Sequence, residues 1–374
     1  MKRIAIITFH RTNNYGAALQ AYALQKVLSK KYTATILDYR SPYLEAIYLG
    51  EKSGLKDRIR SFIRRIIYPI KTRQLDCRKE RFTSFYSRYH VLSERTYNKG
   101  NIASANDCYD LFVTGSDQVW NPHLSRGDWS YFLDFAPSYK RYSYAASVSK
   151  TNTNDENERI RNELNQFQSI LIREYKAADF LKSIGINQNV TAVCDPVFLL
   201  RADEWQCIYP LTERIYKKRY VLLYTVANVK NSFQFAQSVA KHNHIGLISI
   251  SSNQSVKTIK GIKSILDAGP IEFLNYIRNA EYVITSSFHA MALAIIFNVP
   301  FYYELCQDGS NNNERLENIA EIFSLEDRQI ISNELNTIDI IPDWDRVNAI
   351  LEKYRKESTD ILFNSLEGRS DLNE

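Results

Sequence analysis

Short apolar runs recur along the chain, each closed by small or polar residues and followed by a stretch whose apolar positions return every three or four residues. The first run extends from Ile4 to Phe9, closes at Thr12-Asn13-Asn14-Tyr15-Gly16, and leads into a helical stretch in which Leu24, Val27 and Leu28 share a face. Strands are expected from Ala34 to Tyr39, Leu111 to Thr114, Tyr142 to Val148 and Ile170 to Arg173, and a helix from Lys176 to Ile184 that stops at Gly185. A second half repeats the grammar. Its expected strands run from Tyr220 to Val226, Ile245 to Ser251, Tyr282 to Thr285 and Val299 to Tyr303, with helices from Ser232 to His242, Pro270 to Asn279 and Ala290 to Phe297 between them. Strands separated by helical crossovers predict parallel sheets covered on both faces.

A length of 374 residues exceeds what one hydrophobic core usually supports, which agrees with two halves. The stretch from Asp195-Pro196 to Pro210 lacks clear periodicity and is where the hinge is expected. The division is therefore residues 1–200, an N-terminal Rossmann-like domain with a basic helical insertion at about 50–90; residues 201–342, a second Rossmann-like domain; and residues 343–374, a helix and tail able to pack on either domain. Two such domains facing across a cleft bind ligands beyond the carboxyl ends of their strands.

Five widely spaced cysteines without a CxxC pair or a metal-spaced His point to a reducing compartment and no structural metal. The opening apolar run is too short for a signal-peptide core, and no later run approaches a membrane span, so a cytoplasmic protein is expected. The net charge of +6 is concentrated: Lys56, Arg58, Arg60, Arg64, Arg65, Lys71, Arg73, Arg78, Lys79 and Arg81 stand against Asp57, Asp76 and Glu80. Ile59, Phe62, Ile63, Ile66 and Ile67 interleave with them at helical spacing. Such a basic amphipathic helix either lies on an anionic membrane surface at the inner face of the cell membrane or packs its Ile face on the domain. No nucleic-acid motif accompanies the charge, so nucleic acid is not an expected partner.

The segments just after strands hold the candidate chemistry. After the first strand come His10, Asn14, Tyr15 and Gly16, where small residues at a helix start either let backbone N–H groups meet an anion or hydroxyl, or serve close helix-sheet packing. After the strand at Leu111 come Asp117, Gln118, Trp120 and Asn121, which read as a sugar-recognition set or as a helix cap with a core indole. After the strand at Tyr282, Ser287-Phe288-His289 sets an imidazole at a helix N-terminus, which favours its neutral, proton-accepting form; a satisfied structural His is the alternative.

These segments, in order, resemble the polysaccharide pyruvyl transferase family: Ile7-Thr8-Phe9-His10 with Asn14-Tyr15-Gly16-Ala17, then Thr114-Gly115-Ser116-Asp117-Gln118-Val119-Trp120-Asn121, Tyr144-Ala145-Ala146-Ser147, Asp195-Pro196-Val197-Phe198-Leu199-Leu200, and Ser287-Phe288-His289 with Pro300-Phe301. The resemblance implies a glycosyltransferase-B-like domain pair that moves pyruvate from phosphoenolpyruvate onto two hydroxyls of a sugar, in a surface polysaccharide or its lipid-linked precursor, as a cyclic ketal. The acceptor would meet the N-terminal domain, the donor the C-terminal one, with Ser287 among its contacts and His289 as the proton-relaying catalyst. No cofactor is implied. Better-studied members carry Arg-Leu-His where this chain has Ser287-Phe288-His289, so the donor's charge must be met elsewhere; Arg315 is the nearest candidate, with Arg141 and Arg173 beside predicted strands. Two rival readings share the fold: transfer from a nucleotide sugar, and a non-catalytic carbohydrate-binding role in assembly.

Overall fold

The computed structural model describes residues 1–48, 62–149, 153–208, 214–226, 228–251, 262–307, 312–332 and 341–368. Its strands are β1 (Arg3–Ile7), β2 (Thr33–Tyr39), β3 (Leu92–Tyr97), β4 (Leu111–Thr114), β5 (Asp117–Trp120), β6 (Arg141–Ser143), β7 (Ala146–Val148), β8 (Ile170–Ile172), β9 (Val190–Ala192), β10 (Tyr220–Tyr224), β11 (Gly246–Ile250), β12 (Lys263–Ile265), β13 (Tyr282–Thr285) and β14 (Phe301–Tyr303). They form one sheet of order β3-β2-β1-β4-β6, a second of order β12-β11-β10-β13-β14, and a smaller one of order β5-β7-β8-β9. Pairing within these sheets is parallel: Ile4 lies against Ala34 on one side and Leu111 on the other, and Leu222 against Ile248 and Val283. Central strands covered on both faces need apolar residues at successive positions, which is why β4 reads Leu-Phe-Val-Thr rather than alternating.

The helix Tyr15–Leu28 is buried around almost its whole circumference, with Lys26 its exposed residue. Its composition of Ala, Leu and Tyr follows from its place between the two halves. Tyr15 stacks on Phe273 at 4.2 Å and donates its hydroxyl to the Ala268 carbonyl, tying the first strand-helix unit to the second domain.

The basic insertion divides. Residues 62–67 are helical, the helix breaks at Tyr68, and a second helix runs Pro69–Tyr89; Lys56, Arg58, Ile59 and Arg60 fall outside the described residues. The second helix buries Leu75, Arg78, Phe82 and Phe85 and spans both domains. Arg78 donates to the Asn13 carbonyl (3.2 Å) and the Ser251 carbonyl (2.9 Å), and Arg81 pairs with Asp267 and Glu272.

The expected strand from Tyr142 to Val148 is two strands, because Ala145 adopts a left-handed φ of 54° and turns the chain from β6 into β7. The expected hinge is not featureless: Pro196–Leu199 forms a buried helical turn. The helix Trp344–Glu367 crosses behind it, with Ser358 accepting from the Cys194 N–H (2.9 Å) and Arg355 donating to the Phe198 carbonyl (2.6 Å). Near its start Arg346 donates to the Ser324 carbonyl, so this helix straps both halves.

Candidate active site between the two switch points

In each five-stranded sheet the strand order reverses at the first strand: between β1 and β4 in one, between β10 and β13 in the other. Crevices open at the carboxyl ends of such strand pairs. Here the two face one another and merge into a cavity of about 250 Å³. Phe9 and Asn14 line it from beyond β1 of the first sheet, and Asp117 and Gln118 from β5 of the smaller one; Tyr224, Val226, Ser286, Ser287, Phe288 and His289 line it from the second, with Arg315 from the helix Asn312–Phe323.

Ser287 caps the helix Phe288–Ile296, receiving the Ala290 N–H, while its own N–H goes to Thr285 Oγ1 at 2.9 Å. This sets His289 in the first helical turn, one side of its ring against the Cα of Gly16 and Nε2 3.8 Å from Asp195 Oδ2. Asp195 is wholly buried. Its Oδ2 accepts from Ser116 Oγ (2.7 Å) and Arg173 Nη1 (2.8 Å), and its Oδ1 from the Val197 N–H (3.0 Å). A second carboxylate, Glu174, accepts through Oε1 from Ser147 Oγ (2.7 Å), Arg173 Nε (3.0 Å) and Arg315 Nε (3.1 Å). With its amide oxygen turned toward Arg315, Gln118 accepts from Nη1 at 3.0 Å and Nη2 at 2.5 Å. The Arg173 guanidinium also lies 4.7 Å from the Phe288 ring.

Burial pushes His289 below the ordinary imidazole range; Asp195 opposes that shift, while the Arg173 and Arg315 charges reinforce it. Burial would raise Asp195, but the His289 ring, Arg173 and the Val197 N–H hold it below the usual carboxylate range. Glu174 is lowered against the same burial cost by Arg173, Arg315 and the Ser147 hydroxyl. The shifts run in the same sense, disfavouring a proton on the His289 ring and on the Asp195 carboxylate alike. Nε2 of His289 and Nη2 of Arg173 are buried without a hydrogen-bond partner among the described residues.

Of the residues singled out from sequence, the structure brings together Asn14, Asp117, Gln118, Ser287, His289 and Arg315 in the cleft wall, with Gly16 and Arg173 directly behind it. Others it does not. Trp120 is fully buried, stacked near Phe132, with its indole N–H on the Tyr131 carbonyl, so its ring has no face to offer a sugar. Tyr15 is held in the interdomain core, and His10 is buried with Nε2 3.8 Å from Asp38, which also binds Arg11 and Arg40. Asn121 caps the turn Pro122–Ser125, and Arg141 is engaged by Glu163 and the Ala136 carbonyl. Glu174 and Ser116 were not anticipated, and Asp195 was expected in a hinge. Their signal was present in the sequence: Ser116 and Glu174 each sit just beyond a strand, and Asp195-Pro196 is a helix-start pair.

The polysaccharide pyruvyl transferase family model matches residues 14–304. The chain belongs to this family. No curated protein matches it. Among solved structures, this chain is similar to the UDP-GlcNAc 2-epimerase from Methanocaldococcus jannaschii in complex with UDP-GlcNAc and UDP (TM-score 0.53, 14% identity, covering 98% of this chain and 99% of that one). It is also similar to S. aureus MnaA in its UDP co-structure (TM-score 0.54, 13% identity, covering 100% and 98%). At such identities the likeness is one of fold: two Rossmann-like domains facing across a cleft, the glycosyltransferase-B-like arrangement.

Proposed function

We propose that this family member transfers pyruvate from phosphoenolpyruvate to two hydroxyls of a sugar, forming a cyclic ketal and releasing phosphate. The observation that carries the reading is His289 set with Nε2 3.8 Å from the buried Asp195 carboxylate, in a cleft whose wall also holds the Arg315 guanidinium. Arg315 supplies a charge suited to the donor's carboxylate or phosphate, the task for which Ser287 has no cation. Glu174 and Gln118 hold that guanidinium in place.

With Nε2 turned to Asp195, Nδ1 is the nitrogen left to exchange a proton with substrate. It accepts the proton of the first sugar hydroxyl as that oxygen bonds to the donor's enol carbon, and delivers it to the methylene, which becomes a methyl. Phosphate then leaves, the second hydroxyl oxygen bonds to the same carbon, and its proton departs with the phosphate. Asp195 stabilises the transient imidazolium, and general acid-base assistance of this kind is worth roughly 10²- to 10⁴-fold. Asn14 and Asp117 are the acceptor contacts in this scheme.

The test is incubation with phosphoenolpyruvate and surface-glycan acceptors, following phosphate release and the new ketal methyl resonance. His289→Ala is expected to lower turnover by at least about 10²-fold with folding intact. Calorimetric titration with phosphoenolpyruvate and, separately, with a nucleotide sugar decides the donor; tight binding of the nucleotide sugar alone refutes the proposal.

A further inference from the structure

The helical face that was expected either to meet a membrane or to pack on the domain stays largely exposed among the described residues. Phe62, Ile63, Ile66, Ile67, Tyr68 and Ile70 are all exposed, Phe62 by 66% and Ile70 by 76%. Soluble proteins rarely leave contiguous large apolar side chains to water. Arg64, Arg65, Lys71 and Arg73 are set among them, and no Asp or Glu occurs from residue 62 to residue 75. Among the described residues, no helix is long and apolar enough to cross a membrane.

From this we infer that residues 62–73 form a docking edge for an anionic lipid surface, the apolar side chains entering the interface between headgroups and acyl chains and the cations meeting the headgroups. Charge complementarity selects this occupant, because the strip sets four cations against a single flanking carboxylate, Asp76, which pairs with Arg65 at 3.1 Å, and this net positive edge suits a negative surface. The placement gives the edge a purpose. The helix that begins at Pro69 carries Arg78, whose guanidinium binds the Asn13 carbonyl next to cleft-lining Asn14. Ile70 therefore lies about 12 Å along the helix from that contact, at 1.5 Å per residue. A chain docked by this edge has its cleft mouth near the lipid headgroups, where a lipid-linked glycan presents its sugar. That purpose rests on the pyruvyl-transfer reading, whereas the lipid binding does not.

The experiment is co-sedimentation of the full chain with vesicles of pure phosphatidylcholine and of phosphatidylcholine with 30% phosphatidylglycerol, at about 0.1 M and 1 M salt, where screening lengths are about 10 Å and 3 Å. No turnover is needed, so lipid binding and pyruvyl transfer fail or succeed separately. Binding is expected to the anionic vesicles at low salt only. Arg65→Gln, Lys71→Gln and Arg73→Gln together should weaken it about 10²-fold, roughly fivefold per cation. Ile66→Ser, Ile67→Ser and Ile70→Ser should weaken it while circular dichroism stays unchanged. The inference is overturned by equal sedimentation of wild type and either variant, or by absence of binding to both vesicles. It is also overturned if the apolar variant abolishes a lipid-free dimer, which would give the face to a second copy, or if single-stranded RNA binds more tightly than the vesicles.

Discussion

Gly16 is the position at which one methyl group should separate binding from catalysis. A Cβ there would lie 2.0 Å from His289 Nδ1 and 2.5 Å from Cγ and Cε1 of the same ring. Bringing the nearest pair from 2.0 Å to the 3.4 Å of ordinary contact moves the imidazole or the helix start by about 1.4 Å. Neither yields cheaply: the helix Tyr15–Leu28 is buried on nearly every side, Ser287 caps the helix that carries His289, and Asp195 lies 3.8 Å from Nε2 of the ring. Misplacing a reacting group by about 1 Å costs on the order of 10²-fold in rate, or about 2.7 kcal/mol of barrier. Gly16→Ala should therefore lower kcat by at least about 10²-fold. For stability, Ala in a helix gains roughly 0.5–1 kcal/mol over Gly, but overpacking costs roughly 1–3 kcal/mol, so the variant should be slightly destabilised. The cycle with His289→Ala isolates the collision: without the ring, Gly16→Ala should be neutral or stabilising. The assays are kcat from phosphate release and Tm for all four proteins. A Gly16→Ala enzyme with wild-type kcat would refute the placement of His289 as the reacting group.

Removing the Asp195 charge removes the larger of the two carboxylate effects, Asp195 and Asp117, that oppose the downward shift of His289, so Asp195→Asn should move the acid limb of the kcat/KM profile to lower pH and reduce the plateau; an upward or absent shift contradicts the pairing. Glu174→Gln removes the carboxylate that Arg173 and Arg315 share, leaving Asp195 as the carboxylate bonded to Arg173, and should cost about 3–5 kcal/mol in denaturant unfolding, with the donor KM raised more than the acceptor KM. Asp117 holds a φ of 82°, so Asp117→Gly should relieve about 1 kcal/mol or more of strain, raising Tm while acceptor KM worsens; a lower Tm would exclude strain there. His90, buried against Phe85 and Tyr86, is pushed down to about 3 by burial and the nearby His10. Because the fold favours its neutral form, its contribution to stability is fully present above pH 6.5 and is lost as pH falls from there toward about 3; His90→Gln should flatten acid denaturation in that window.

The central strands were legible because burial on both faces demands unbroken apolar runs: Leu111–Thr114 and Tyr282–Thr285 have the bounds that the pattern alone assigns. The helix Ser232–His242 was equally plain from its period. Edge strands β3 and β12 were not, because Leu-Ser-Glu-Arg-Thr-Tyr and Lys-Ser-Ile carry little apolar pattern and owe their pairing to a neighbouring strand. Nor was the break at Ala145, where a left-handed residue interrupts a run that reads as one strand.

For the site, the sequence by itself determined that polar residues follow β1, β4 and β13, and that His289 sits at a helix start, since both are consequences of local periodicity and capping. What those residues face was decided only by closure of the two domains. Asp195 reaches His289, and Glu174 reaches Arg315, across separations of 94 and 141 residues. Trp120 and Asp117 belong to the same short strand, yet one is sealed in the core and the other faces the cleft. Burial is a property of the assembled sheets rather than of residue type. The imidazole and guanidinium in the cavity wall and the carboxylate buried behind them take their pKa shifts from desolvation and from charges contributed by both halves, and neither half has them alone.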